Sequence, residues 1–73
     1  PEALDAVAAL LRSGEFAGAE ADEVARAAHK LAGTAAMFGE QELGEVAARL
    51  EDALRGRSDG DPGQLARTLL EAA

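Results

Sequence analysis

The stretch ADEVARAAHKLAGTAAMFG, Ala21 to Gly39, decides the fold. Val24, Ala28, Leu31, Ala35 and Phe38 recur in it at helical spacing and form one apolar stripe. Residues from Ala21 to Phe38 therefore read as an amphipathic helix. Asp22 and Glu23 suit the positive N-terminal end of this helix, and Gly39 offers a left-handed residue just past its last turn.

Working outward, three more segments carry the same period. Leu4, Val7, Ala8 and Leu11 recur at i, i+3, i+4 and i+7, so residues 2–12 form a helix with Pro1 in its first turn. Ser13-Gly14 stops that helix, and Phe16-Ala17-Gly18 makes a connection whose Phe16 is expected to fold back onto the core. A third helix begins near Glu40 and carries Leu43, Val46, Ala47, Leu50 and Leu54, with Arg55 and Arg57 suited to its negative C-terminal end. Ser58-Asp59-Gly60 breaks the chain, Asp61 then reads as an N-cap with Pro62 at the first helical position, and Leu65, Leu69 and Leu70 supply the buried face. Four short amphipathic helices with tight connections predict an all-α fold, an antiparallel up-and-down four-helix bundle. Residues 1–73 are expected to form a single domain.

Composition bounds what such a domain does. A chain this short buries only about 60% of the surface its unfolded form exposes, which leaves a thin core and no enclosed pocket of enzyme size. Aromatic residues make up 3% of the chain, and it holds no cysteine and one histidine. Disulfides, thiolate metal sites and multi-histidine metal sites are thereby excluded. The formal charge is −7, from 14 acidic and 7 basic residues, which disfavours nucleic acid and anionic membranes and suits protein partners. No apolar run approaches the ~20 residues of a bilayer span. The acidic start, with Glu2 and Asp5, does not read as a signal peptide, so the expected location is the cytoplasm. The exposed apolar surface is too small to require a dimer, and a monomer is expected.

The single histidine sits in the deciding stretch. On a helical wheel His29 lies about 140° from the centre of the apolar stripe, and Ala25, Ala32, Gly33 and Ala36 lie within about 60° of it. An exposed helical face normally carries long charged side chains; this one is bare. Glycine inside a helix costs about 1 kcal/mol relative to alanine, so Gly33 implies an object that approaches the backbone closely. Neutral imidazole is a good nucleophile, and its phosphoramidate is labile enough to pass a phosphoryl group onward. Such a site needs no metal or cofactor of its own if the partner supplies Mg²⁺ and an acceptor carboxylate.

The run His29-Lys30-Leu31-Ala32-Gly33-Thr34-Ala35, with Gly39 ten residues after the histidine, resembles the signature of histidine phosphotransfer (HPt) domains. That signature reads roughly H-x-L-K-G-[SA]-[SA]-x-x-x-G, followed by a leucine and later a Leu-Glu pair; Leu43 and Leu50-Glu51 stand at those places. The resemblance covers residues 24–54 in detail. It implies a phosphorelay carrier that accepts a phosphoryl group on His29 from a receiver-domain aspartate or a sensor or hybrid histidine kinase. The carrier then passes that group to a response-regulator receiver domain. It also implies that Gly33, with Ala25, Ala32 and Ala36, clears the docking face, and that Glu51 hydrogen-bonds the second ring nitrogen. Glu51 lies about 80° from the apolar centre of its own helix, a flank from which it could reach His29. Ala32 stands where the family carries lysine. Arg26, one turn before His29 and about 60° round from it, is the candidate for electrostatic help, with a plain solvated charge as the other reading.

Other functions fit less well. The phosphoacceptor helices of sensor kinases carry an acid directly after the histidine and a proline four further on, where this chain has Lys30 and Thr34. No nucleotide-binding motif is present, so the chain is expected to carry phosphate rather than act as a kinase or other enzyme. The alternative is a non-catalytic helical-bundle adaptor that binds a partner protein.

Overall fold

The computed structural model describes residues 2–73, and over them the chain is all-helical: α1 (Glu2–Ser13), α2 (Ala19–Met37), α3 (Gln41–Leu54) and α4 (Pro62–Ala72). Pro1, expected in the first turn of α1, lies outside the described residues. Each helix packs on its neighbours in sequence, and α1 also packs on α4, which closes the four into a bundle. The α2–α3 pair is the most extensive of these contacts.

Helix ends follow local chemistry. The α2 helix starts two residues earlier than its acidic pair suggests, because Gly18, at φ 102°, turns the chain so that its carbonyl accepts from Asp22 N at 3.1 Å. At the other end, Gly39 N donates to Ala36 O at 3.3 Å and Glu40 N to Ala35 O at 2.8 Å, the paired bonds of a Schellman turn. Asp61 caps α4 by accepting from Gly63 N at 3.0 Å, with Pro62 in the first turn.

The core draws on every helix. Val7 and Leu10, Val24 and Ala28, Val46, Ala47 and Leu50, and Ala66 and Leu69 are buried together. Leu4, Leu11, Leu31, Leu43, Leu54, Leu65 and Leu70 pack half-buried around them. Phe16 folds back as expected, its ring lying where a Cβ on Gly63 would meet it at 3.4 Å. The α2–α3 interface is built from small residues. A Cβ on Gly44 would sit 3.4 Å from Ala32 O and 3.5 Å from Ala35 Cβ, so any larger side chain there would hold the helices apart.

One member of the apolar stripe departs from it. Phe38 is 76% exposed, beside Met37 at 84%. The α2 helix ends at Met37, and Phe38 is its C-cap at φ −99° and ψ 8°, so the helical period no longer sets its direction. Leu50→Ala should accordingly lower the unfolding free energy by about 2–5 kcal/mol. Phe38→Ser should change it by no more than about 0.5 kcal/mol. Urea denaturation of both variants checks the pair.

Candidate functional site

His29 projects from the middle of α2 with its side chain 73% exposed. Its Nδ1 lies 3.1 Å from Glu51 Oε1 on α3. An ionised carboxylate only accepts hydrogen bonds, so Nδ1 carries the proton in this contact. The neutral ring then has its lone pair on Nε2. Glu51 is the one charged side chain buried among the described residues, at 9% exposure.

The second carboxylate oxygen is also occupied. Arg55 Nε donates to Glu51 Oε2 at 3.0 Å, and an Arg57 terminal N–H donates to the same oxygen at 3.4 Å. Burial pushes the Glu51 carboxyl up, but the hydrogen bond and charge of His29, followed by those of Arg55, outweigh it and hold the group below its ordinary value. The charged form of Glu51 is thus stabilised by its contacts with His29 and Arg55.

Sequence reasoning passed over these two arginines as site residues. Arg55 follows Glu51 at i+4, a spacing that puts both side chains on one helix face. Arg57 carries no such signal, because it lies beyond the end of α3 and is aimed by the turn at Gly56.

The bare face divides on inspection. Gly33 and Ala36 are exposed, Ala32 is half-buried, and Ala25 is 0% exposed. Ala25 therefore contributes no surface to a docking face, contrary to expectation. The α2 helix is packed between α1 and α3, which makes its buried sector wider than one stripe. A Cβ built on Gly33 meets nothing within 4 Å, and its φ is not positive, so neither the bundle nor the backbone requires glycine there. Beside Gly33, an open groove between α2 and α3 is floored by small residues, Ala32, Ala36, Gly39, Gly44 and Ala48, with Gln41 and Glu45 also lining it.

Arg26 is exposed and lines a different, shallow groove with Ala3, Ala6, Glu23, Ala27 and Lys30, on the α1 side of α2. No hydrogen bond or ion pair joins it to His29. Among the described residues no three His, Cys, Asp or Glu side chains are grouped to hold a metal ion, and no helix is long and apolar enough to cross a membrane.

The family model described as the Hpt domain matches residues 1–73, the length of the chain. No curated protein and no solved structure matches it.

The depressed Glu51 carboxyl has a pH consequence. Its stabilisation is complete above the ordinary value of 4.5 and is lost as pH falls through the lower folded value. Wild type should therefore exceed Glu51→Gln in unfolding free energy at neutral pH, and the gap should narrow below pH 4.5. Parallel urea titrations from neutral to acid pH measure that gap.

Proposed function

Because this chain belongs to the Hpt domain family, whose members are phosphotransfer carriers in two-component signalling, we propose that His29 is its phosphoacceptor. Hpt domains interact with two-component kinases and response regulators. In this reading the donor is a phosphorylated receiver domain or a histidine kinase, and the acceptor is an aspartate of another receiver.

The observation that carries the reading is the asymmetry of the imidazole. Nδ1 is held at 3.1 Å by a buried carboxylate, while the ring is otherwise open to solvent. The Nε2 lone pair attacks the phosphorus of the incoming acyl phosphate in line. An N–P bond forms, the P–O bond to the donor aspartate breaks, and that aspartate leaves as a carboxylate. The ring keeps its Nδ1 proton and becomes a phosphorylated imidazolium, whose positive charge faces Glu51. In the onward step a receiver carboxylate attacks the phosphorus and imidazole leaves neutral, still protonated at Nδ1. No proton has to move in either direction. The Mg²⁺ that balances phosphoryl charge belongs to the receiver domain, and this chain contributes the nucleophile and its orientation.

Gly33, Ala36 and the half-buried edge of Ala32 are the surface on which the partner lands. The open space over Gly33 supports this, since the glycine answers no need within the chain. The reading also takes residues 1–73 as one domain, supported by a core shared by all four helices. An antiparallel up-and-down order is supported by the α2–α3 register. Gly44, early in α3, lies against Ala32 and Ala35, whereas Glu51, later in α3, reaches back to His29.

Incubation with a phosphorylated receiver, or with a kinase and ATP, in the presence of Mg²⁺ should put an acid-labile, base-stable label on wild type and none on His29→Gln. Label persisting in the variant would overturn the assignment and leave an adaptor role. Gly33→Gln should keep or raise stability, by up to about 1 kcal/mol from helix propensity, yet slow transfer. A thermal melt alongside the labelling time course separates the two effects.

A further inference from the structure

We infer that Arg55 and Arg57 are positioning residues for phosphotransfer: by occupying Glu51 Oε2 they hold the carboxylate turned so that Oε1 accepts from Nδ1, and through it they select Nε2 as the nucleophile. This inference rests on the reading of His29 as phosphoacceptor.

Glu51 is buried, with its carboxylate between α2 and the end of α3. A buried carboxylate is stable as an anion only when both oxygens are partnered and an opposite charge is near. His29 meets one oxygen, Oε1, and leaves the other to be partnered from elsewhere. The two guanidinium groups partner that second oxygen, at 3.0 and 3.4 Å from Oε2. Without them nothing holds Oε2, and the carboxylate is free to turn away and leave Nδ1 without its acceptor. A ring without that acceptor no longer favours the Nδ1–H tautomer over the Nε2–H one.

No cation from α2 fills this place. Ala32 has no charge to offer, and Arg26 and Lys30 line the groove on the α1 side. The counter-charge comes instead from the C-terminal end of α3, where local geometry delivers it. Arg55 is the C-cap residue, one turn beyond Glu51. Gly56, at φ 73°, then reverses the chain. Gly56 N donates to Ala53 O at 3.2 Å and Arg57 N to Asp52 O at 2.8 Å, a Schellman turn. That turn brings Arg57 back along the helix, where Asp52 Oδ1 at 3.4 Å steadies it. The arginines thus do more than complement the dipole of α3: their side-chain N–H groups end on the Glu51 carboxylate.

The chain's single histidine makes the test direct, because a long-range ¹H–¹⁵N correlation spectrum contains one imidazole. The spectrum is recorded at a pH where the ring is neutral, on wild type, Arg57→Gln, Arg55→Gln/Arg57→Gln, Arg55→Lys/Arg57→Gln and an Arg67→Gln control. Wild type and the control should be protonated at Nδ1. The double glutamine variant should show a raised share of the Nε2–H tautomer and phosphorylation slowed about tenfold, the scale on which partners orienting a histidine act. Its helical circular dichroism should be unchanged. Lysine at position 55 should recover part of both signals. A double glutamine variant that keeps the wild-type tautomer overturns the inference, whatever happens to its rate. Failure of wild type to take up label on His29 would instead refute the phosphoacceptor reading, and the tautomer comparison would still stand as measured.

Discussion

The hydrogen bond between His29 Nδ1 and Glu51 Oε1 ties the exposed face of α2 to a charged group buried in the bundle, and it forms only if the two helices come close. Their approach is a matter of side-chain size. Ala28, Ala32, Ala35, Gly44 and Ala47 leave so little between the backbones that an added Cβ at Gly44 would already touch α2. A chain of 73 residues builds a thin core, so this close fit of small residues replaces the large side chains that fill bigger bundles. The site is therefore a product of the packing that holds α2 and α3 together.

Two glycines in helices illustrate opposite uses of one residue type. Gly44 faces inward and lets α3 approach α2. Gly33 faces open space, and nothing in the chain benefits from its missing side chain. Each costs its helix propensity. At Gly44 an added Cβ would meet α2 in van der Waals contact, whereas at Gly33 it would meet nothing within 4 Å. A third glycine, Gly56, works through its backbone, turning Arg57 onto the carboxylate that orients the imidazole.

Much of the fold was legible because helical period, caps and breakers act over a few residues. The stripe in α1, the Asp61-Pro62 start of α4 and the left-handed Gly39 all follow from local rules. Local rules failed where a neighbour or a helix end intervened. Phe38 lies past the end of its helix, where the helical period no longer applies, and Ala25 is buried because α2 has partners on two sides. Arg26 stands near His29 on the helical wheel, yet the packing of α1 gives it a groove that His29 does not line.

From its sequence alone, the chain was readable as an all-helical protein with an exposed histidine on a bare helix face, because composition and a 3.6-residue period are properties of the chain itself. The match of Leu50-Glu51 to the family pattern also pointed to the residue that would meet that histidine. Only the tertiary structure decided which oxygen of Glu51 faces the ring, which arginines hold the other, and which alanines remain at the surface. Those outcomes depend on distances between segments far apart in sequence, and such distances are set by how α2 and α3 pack rather than by the pattern within either helix.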